Sequence, residues 1–319
     1  MAKTALISGI SGQTGSLLAH RLLHHGYTVI GGSRDKNGTD WWRLEKLGIL
    51  NDVQLTSIAP SDFHSVLTAI KRFSPDEIYY LGGQSSVALS FTQPFEAFES
   101  IAGGTLNFLE AIRVTDSSAR FFNAASTDCF GDQSGTVLDE DSPMKPISPY
   151  GVAKAASYWT TVNYRNSFGI HASNGILTNH ESPLRGKGFV TQKIISTLRE
   201  KKKDPSISLR LGDTSIRRDW LWAPEAVEAI HLIGTHEQPG DYVVGSGKSH
   251  SLAEFVDQIC NQLGIDKSGI EEMAPEFRRP NEIKSVETNP SKLAGVTGWT
   301  ARTGLSNMVG HLIDGRIVD

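Results

Sequence analysis

The first half of the chain alternates short apolar segments with amphipathic ones. Runs rich in β-branched and aromatic residues predict strands at Thr4–Gly9, Thr28–Gly32, Val53–Ile58, Glu77–Gly82, Arg120–Ala125 and Ala172–Asn179. Between them, apolar residues recur at helical spacing in Ser16–His25, Phe63–Phe73, Phe98–Val114 and Pro149–Phe168. This order predicts an α/β fold with a doubly wound parallel sheet of the Rossmann type, whose ligands lie at the carboxyl ends of the strands.

The composition changes after Asn179, where arginine, glycine and proline become frequent. Predicted helices at Val190–Lys201, Ala226–Gly234 and Leu252–Leu263 are separated there by long polar connections. We therefore predict a nucleotide-binding Rossmann domain over residues 1–179. A smaller C-terminal α/β substrate-binding lobe is predicted over residues 180–319, with some of its segments returning to the first domain.

Length and composition exclude several classes of protein. A chain of 319 residues can bury a sizeable core, and it contains no run of about twenty apolar residues that could span a membrane. Two cysteines cannot build a disulfide scaffold or a zinc site, and the apolar run after Met1 is too short for us to expect a secretory leader. A net charge of −4 gives no general attraction to nucleic acid or anionic membranes. We expect a cytoplasmic protein without a metal, a nucleic acid or a membrane as partner.

A glycine-rich turn follows the first predicted strand and opens the first predicted helix. Its spacing is Gly9-x-x-Gly12-x-x-Gly15, and such turns let backbone N–H groups and a helix N-terminus approach a pyrophosphate. The alternative is an ordinary glycine-rich connection. In the nucleotide-binding interpretation, the predicted cofactor-binding residues of the turn are Gly9, Ser11, Gly12, Gln13, Thr14 and Gly15.

The end of the second predicted strand bears on the identity of the cofactor. An acidic residue there typically bonds a ribose diol, whereas a basic residue meets a 2′-phosphate. This chain has Arg34 followed by Asp35, so the two indications conflict. Arg34 favours NADP, and NAD is possible.

Tyr150 and Lys154 are four residues apart on a predicted helix, which places them on one face. A phenol has a pKa of about 10, and a neighbouring ammonium group stabilises the phenolate that could act as a base. Ser126, at the end of a predicted strand, could bond a reacting hydroxyl, and Asp128 adds a carboxylate. The alternative for Asp128 is a turn or capping role. Cys129 is interpreted as a packed residue.

Together these residues resemble the GDP-mannose 4,6-dehydratase family of extended short-chain dehydrogenase/reductases. The resemblance extends over nearly the whole chain. It is carried by Gly9–Gly15, Tyr80–Ser85, Ser90–Pro94, Ser148–Lys154, Tyr158–Arg165, Asn174–Gly186, Phe189–Ile194, Arg218–Trp220 and Arg279–Glu282.

The resemblance implies a lyase that dehydrates a GDP-linked hexose without net oxidation, through bound NADP. Tyr150 would take the proton from O4 as C4 is oxidised. A carboxylate would remove the C5 proton, water would leave from C6, and hydride would return to C6. Ser126 stands at the family's catalytic threonine, Asp128 at its glutamate base, and Tyr150 and Lys154 match directly.

The resemblance also implies binding residues. Further cofactor contacts are implied for Leu81, Gly82, Gly83, Gln84, Ser85, Lys154, His180 and Arg185. Contacts with the GDP-sugar are implied for Ser85, Asn179, Glu181, Lys193, Arg218, Arg279 and Glu282. Arginine suits a diphosphate because its planar fork donates two parallel hydrogen bonds, although Arg218 and Arg279 could instead form surface ion pairs. The family also implies a homodimer or homotetramer.

Several positions differ from the family pattern. Asp128 is one methylene shorter than the glutamate, Thr14 replaces an acid, and Glu96 stands at a cofactor-contacting tyrosine position. Two alternatives to dehydration therefore stay open. One is an NADPH-dependent reductase or epimerase of a GDP-linked 4-keto sugar, which needs no long C5 base. The other is a non-catalytic nucleotide-sensing protein, since fold does not fix function.

Overall fold

A computed structural model describes residues 2–277 and 280–317 of the chain. Its largest element is a seven-stranded parallel sheet with the strand order β3-β2-β1-β4-β5-β6-β10. Its strands are β1 (Thr4–Ser8), β2 (Thr28–Ser33), β3 (Gln54–Ser57), β4 (Glu77–Tyr80), β5 (Arg120–Ser126), β6 (Ala172–Leu177) and β10 (Asp241–Val244). The strand order reverses between β1 and β4, which is where doubly wound sheets bind ligands. The predicted fold class is confirmed.

Helices cover both faces of this sheet, as parallel strands with apolar residues on both sides require. The helices are α1 (Gln13–His24), α2 (Trp42–Lys46), α3 (Phe63–Phe73), α4 (Val87–Ser90), α5 (Pro94–Phe98), α6 (Gly104–Val114), α7 (Pro149–Phe168), α8 (Val190–Lys203), α9 (Ala223–Thr235), α10 (Leu252–Leu263), α11 (Ser291–Thr297) and α12 (Leu305–Asp314). On one face, Leu18 of α1 and Ile230 of α9 are buried with Tyr79. On the other, Val66 of α3 and Phe108 of α6 are buried in a second cluster. None of the helices in the described ranges is long and apolar enough to cross a membrane.

The C-terminal part of the chain forms a second, smaller core. A three-stranded sheet has the order β11-β9-β7, and two short strands, β8 and β12, pair beside it. These strands are β7 (Asn179–Glu181), β8 (Leu209–Arg210), β9 (Arg217–Trp222), β11 (Ser249–Ser251) and β12 (Ile270–Glu271). Trp220 and Trp222 of β9 are buried against Phe255 of α10 and Leu198 of α8.

The chain crosses between the two cores more than once. After β9, helix α9 packs against the large sheet, and β10 pairs with β6 in the register Asp241↔Asn174. The division of the chain at residue 179 stays a prediction.

Most predicted elements differ from the structure by one to three residues at an end, and two of the differences concern how the element itself is built. The predicted strand Ala172–Asn179 ends at Leu177, and Asn179 begins β7, which pairs with β9 in the smaller sheet. The predicted helix Phe98–Val114 starts earlier, at Pro94, and contains one π-helical turn at Glu99–Gly103. The break at Thr178 lets one segment leave the large sheet and enter the second core.

Helix α7 has the predicted bounds, because its sequence carries both end signals. The Ser148 side chain accepts a hydrogen bond from the Gly151 N–H, and Pro149 occupies the first turn, where no N–H is needed. At the other end, Gly169 adopts the left-handed conformation at φ +68°. This start places Tyr150 in the first turn of the helix and Lys154 one turn later.

Candidate active site

A cleft of about 1080 Å³ lies at the carboxyl ends of the large sheet, between the two cores. It is larger than a typical site for one small ligand, for which about 300–1,000 Å³ is usual. The predicted cofactor-binding residues that line it are Gly9, Ser11, Gly12, Gln13, Thr14, Gly15, Arg34, Leu81, Gly82, Gly83, Gln84, Ser85, Lys154, His180 and Arg185. The structure therefore brings together segments that are far apart in the sequence.

The glycine turn is shaped by close backbone approaches. Gly9 has φ +88°, and a Cβ atom there would lie 2.8 Å from the backbone of Leu81 and Gly82. A Cβ atom on Gly15 would lie 2.3 Å from the Gly9 carbonyl oxygen. Gly12 precedes α1 without a side-chain cap, and Gln13, Thr14 and Gly15 of the first turn of α1 line the cleft. This turn matches the requirements of a pyrophosphate-binding site.

Thr14 and His180 join the glycine turn to the segment that follows β6. The His180 Nδ1 lies 2.9 Å from the Thr178 carbonyl oxygen, which can only accept, so Nδ1 carries the proton. The Nε2 atom then accepts from the Thr14 hydroxyl at 2.8 Å. Burial lowers the pKa of His180 to about 4, and the Arg185 guanidinium adds to this effect. His180 is therefore neutral at physiological pH.

Glu181 and Arg185 form a buried pair on the same segment. An Arg185 Nη1 atom lies 3.2 Å from the Glu181 carboxylate and also donates to the His180 carbonyl oxygen. The Thr191 hydroxyl donates to Glu181 at 2.7 Å. Burial raises the pKa of Glu181, whereas Arg185 and Thr191 lower it. The carboxylate fixes the arginine at the edge of the cleft.

The four predicted catalytic residues lie together at the inner end of the cleft. Ser126 ends β5, and its hydroxyl donates to Asp128 Oδ2 at 3.2 Å and accepts from the Asp128 N–H at 3.2 Å. The Lys154 ammonium donates to the Ala124 carbonyl oxygen at 2.6 Å and lies 5.7 Å from the centre of the Tyr150 ring. The Ser126–Asp128 contact shows that the shorter carboxylate lies beside the predicted hydroxyl partner.

Burial changes the proton affinities of this group. It raises the pKa of Tyr150, and the Asp128 carboxylate raises it further, whereas the hydrogen bond with Ser126 lowers it. Burial lowers the pKa of Lys154 to about 8. The buried Cys129 thiol has its pKa raised to about 12, which agrees with a packed residue rather than a nucleophile.

On the opposite wall of the cleft, Arg218 and Glu282 form an ion pair at 2.7 Å, with only 12% of the Arg218 side chain exposed. The neighbouring Asp219 is buried and accepts from Ser246, Gly247 and Thr288. Asp219 thus holds the strand that presents Arg218 to the cleft.

The other predicted substrate residues have different positions. Ser85, Asn179 and Glu181 line the cleft. Lys193 is not among its lining residues; its ammonium donates to the Arg210 carbonyl oxygen at 2.7 Å and lies 3.7 Å from the centre of the Phe277 ring. Arg279 lies outside the described residues.

Sequence comparison shows where this arrangement belongs. The family model of GDP-mannose 4,6 dehydratase matches residues 6–312. The chain belongs to the GDP-mannose 4,6 dehydratase family. It is 37% identical to GDP-mannose 4,6 dehydratase 2 of Arabidopsis thaliana over 98% of this chain and 86% of that protein. It is 34% identical to the GDP-mannose 4,6-dehydratase of Yersinia enterocolitica over 98% of this chain and 93% of the relative.

Solved structures show the same fold at lower identity. A dTDP-glucose 4,6-dehydratase from Bacillus anthracis in complex with NAD has a TM-score of 0.86 at 18% identity, covering 98% of this chain and 96% of that one. RMD from Pseudomonas aeruginosa complexed with NADPH has a TM-score of 0.81 at 20% identity, covering 98% of each chain. At these identities the likeness concerns the fold alone.

Arg43 is a cleft residue that sequence reasoning missed. Its Nε atom donates to the Leu184 carbonyl oxygen at 2.7 Å, and its Nη1 atom donates to the Ser11 carbonyl oxygen at 2.8 Å. Burial lowers its pKa. Arg43 therefore ties the glycine turn to the segment after β7. Nothing in the local pattern around Trp42 signals this role, because both partners are backbone atoms of distant segments.

Proposed function

We propose that this protein catalyses the redox-neutral 4,6-dehydration of a GDP-linked hexose, using a nicotinamide dinucleotide. The observation that carries the proposal is the cluster of Ser126, Asp128, Tyr150 and Lys154 at the inner end of a cleft that also contains the glycine turn. Membership of the GDP-mannose 4,6 dehydratase family supports both the reaction and the guanine nucleotide.

The residues of the cleft suit a dinucleotide. Gly12 leaves the turn open towards the cleft, since a Cβ atom there would meet only the Gly9 carbonyl oxygen, at 3.3 Å. The helix N-terminus behind it favours a pyrophosphate. When bound, the dinucleotide supplies the carrier that accepts a hydride and returns it. Between the two forms of the cofactor, Arg34 at the end of β2 supports NADP.

Tyr150 is the base for the first step. Its phenolate takes the proton of the sugar O4 hydroxyl as C4 becomes a carbonyl, and the Lys154 ammonium stabilises the phenolate. Ser126 lies beside the phenol and can hold the same hydroxyl. Because burial raises the pKa of Tyr150, the positive charge of Lys154 is needed to make phenolate accessible.

Asp128 is the base for the second step. A carbonyl at C4 acidifies the proton on C5, and the Asp128 carboxylate removes it. The electron pair left on C5 forms the C5–C6 double bond as the C6 hydroxyl leaves as water, and the Asp128 carboxyl gives the departing hydroxyl the proton it took from C5. Ser126 fixes the orientation of the carboxylate through their hydrogen bond. Because aspartate is shorter than glutamate, C5 of the sugar must lie closer to the end of β5 than it would for a glutamate base.

The nucleotide part of the substrate would lie against the second core. Arg218 is paired with Glu282 and donates to the carbonyl oxygens of Arg217 and Ile283, so its guanidinium is held in place as a positive charge at the cleft that suits a diphosphate. Asn179, Glu181 and Ser85 line the same cleft as this arginine and the catalytic group. Their roles as substrate contacts, and those of Lys193 and Arg279, are part of the proposal.

We also propose that the chain forms a homodimer through α5, α6 and α7. These neighbouring helices present an exposed apolar surface made of Phe95, Phe98, Leu106, Val152 and Trp159. Phe95 is 83% exposed, which is unusual for so large an apolar side chain. Two copies of this surface related by a two-fold axis would cover each other.

A reductase or epimerase of a GDP-linked 4-keto sugar is the second candidate. The observation that favours it is the length of Asp128, because a retraction of about one ångström can cost about 10²-fold in proton abstraction. The two activities differ in their demand for cofactor. A dehydratase turns over with a catalytic amount of NADP⁺, whereas a reductase consumes NADPH in proportion to product.

The test is to incubate the purified protein with GDP-mannose and a catalytic amount of NADP⁺ and to follow loss of one water from the sugar nucleotide by mass spectrometry. We expect dehydrated product from the wild type and none from Asp128→Asn. Asp52→Asn, which changes an exposed carboxylate outside the cleft, is the matched control and should behave as wild type. Wild-type protein that binds cofactor yet gives no dehydrated product would favour the second candidate.

A further inference from the structure

An ion pair stands at the open end of the cleft. The Arg34 Nη1 atom donates to Glu96 Oε1 at 2.9 Å. Arg34 directly follows β2, whereas Glu96 lies on α5, and both residues line the cleft. The Arg34 side chain is 77% exposed and that of Glu96 is 43% exposed. The pair is therefore accessible to a ligand that enters the cleft.

The end of β2 determines which nicotinamide dinucleotide a sheet of this type accepts. A basic residue there meets the adenosine 2′-phosphate, and an acidic residue bonds the 2′-hydroxyl. In this chain the basic residue is Arg34. Its guanidinium, however, is shared with a carboxylate that comes from a different part of the chain.

Each member of this pair has a further acidic residue near it in the chain. Asp35 directly follows Arg34, and Glu99, three residues after Glu96 on the same continuous helix, also lines the cleft. A 2′-phosphate carries between one and two negative charges near neutral pH. Glu96 therefore opposes binding of the 2′-phosphate in two ways. It occupies the Arg34 guanidinium, with which the phosphate would pair, and its negative charge repels that of the phosphate.

We propose that Glu96 is a cofactor-selectivity determinant, which competes with the 2′-phosphate for Arg34 and so lowers the preference of this protein for NADP over NAD. The inference rests on the proposed function, because it assumes that the cleft holds a nicotinamide dinucleotide. It concerns a single carboxylate and is independent of the chemistry at Asp128.

The variants needed for a test should fold. An exposed ion pair contributes little to stability, so removing either partner should leave the fold intact. Glu96→Gln keeps the size of the side chain and removes its charge. Arg34→Gln removes the cation, and the double variant reports whether the two residues act through each other.

The experiment measures the dissociation constants of NADP⁺ and NAD⁺ by isothermal titration calorimetry, in the wild type and in all three variants. We expect Glu96→Gln to bind NADP⁺ about fivefold to tenfold more tightly while its affinity for NAD⁺ changes by less than about twofold. The gain should vanish in the Arg34→Gln background and should shrink at high ionic strength, because the interaction is between exposed charges.

Glu200→Gln is the matched control. Glu200 is an exposed residue near the end of α8 and does not line the cleft. The Glu200→Gln substitution removes the same charge as Glu96→Gln but at a site away from the cleft. The affinities of this variant for NADP⁺ and NAD⁺ should therefore equal those of the wild type. A gain in NADP⁺ affinity as large as that of Glu96→Gln would mean that net charge, not Glu96, sets the preference.

Other outcomes separate this inference from the proposed function. If both dinucleotides bind and Glu96→Gln leaves their affinity ratio unchanged, the inference is wrong and the proposed function stands. If the variant tightens NADP⁺ and NAD⁺ equally, Glu96 does not sense the 2′-phosphate, and the inference is again wrong. If neither dinucleotide binds to the wild type or to any variant, the cleft is not a dinucleotide site, and both proposals fail.

Discussion

The two ends of the cleft hold their charged groups under different conditions. At the inner end, Lys154 is only 8% exposed and donates to a backbone carbonyl of β5. At the open end, Arg34 is 77% exposed and pairs with a carboxylate that is itself half in solvent. The catalytic residues at the inner end are held by β5 and the long helix α7. The Arg34–Glu96 pair at the open end joins the end of β2 to the short helix α5.

The contrast indicates that the two ends of the cleft have different roles, catalysis at the inner end and cofactor selectivity at the open end. At the inner end, burial changes the pKa of Tyr150 and Lys154, because charges there are poorly solvated. At the open end, water and salt screen each charge, and a single carboxylate can alter selectivity without altering the fold. Substitutions at the inner end should therefore have large effects on rate, and those at the open end smaller effects on affinity.

The largest effect is expected for Tyr150→Phe. The substitution removes the phenol that accepts the O4 proton, so kcat should fall by about 10³-fold or more, in the upper range for general acid–base catalysis. Binding of the dinucleotide should be retained, because the ring itself is kept. Steady-state assays of the dehydrated product and calorimetric titration of the cofactor would measure the two properties.

Tyr164→Phe is the control for this prediction. Tyr164 lies on the same helix, and its hydroxyl donates to Glu110 at 2.9 Å, away from the cleft. A rate close to the wild-type value is expected for it. If Tyr150→Phe also retained a rate near the wild-type value, the inner end of the cleft would not be the reaction centre, and the comparison between the two ends would lose its basis.

The fold was largely predictable from sequence because its signals are local. Helix α7 was predicted from Pro149 to Phe168, where a capping serine, a first-turn proline and a C-terminal glycine mark both ends. The break between β6 and β7 was not predicted. No glycine or proline separates Leu177 from Asn179, and the change of sheet depends on pairing with β9, which is about forty residues away.

The site was predictable only in part, for the same physical reason. Gly9, Tyr150 and Lys154 belong to short motifs whose spacing has chemical meaning. The Thr14–His180 hydrogen bond joins residues 166 positions apart, and the Arg34–Glu96 pair joins residues 62 positions apart. Such partners are brought together by the topology of the whole sheet. A single sequence therefore reveals the residues of a motif but not the contacts that modify them.

A smaller effect is expected from Lys154→Gln. Burial lowers the pKa of Lys154 to about 8. The Tyr150–Lys154 pair loses its first proton as a unit, because phenol beside neutral amine and phenolate beside ammonium hold the same number of protons. For the wild type, kcat/KM should rise with pH and level off above an apparent pKa near 8. In Lys154→Gln it should be about 10²-fold lower, with its rise displaced to higher pH.

Lys203→Gln, at the exposed end of α8, is the control and should leave the pH profile unchanged. The displacement of the profile is the decisive readout, because a merely structural role for Lys154 would lower the rate at every pH without moving the apparent pKa. An unmoved profile would show that the two side chains do not share protons.

The smallest effect concerns stability, and His180→Asn measures it. The pKa of His180 is about 4 in the folded protein, against an ordinary value of 6.5. The unfolded chain therefore binds the proton more tightly, so His180 contributes stability that is fully present above pH 6.5 and is lost as pH falls towards 4. The loss amounts to at most about 3.5 kcal/mol. Thermal unfolding of the wild type and His180→Asn between these pH values should show a shallower decline in the variant.

Two further histidines sharpen this measurement. His231 also has its pKa lowered to about 4, by burial and by neighbouring cations, so part of the decline should persist in His180→Asn. His64 is exposed, and His64→Asn should decline with pH as the wild type does. An unchanged slope in His180→Asn would mean that the His180 ring is hydrated in solution. Water would then reach the cleft as far as the Thr14–His180 contact, and the desolvated inner end would begin deeper than that contact.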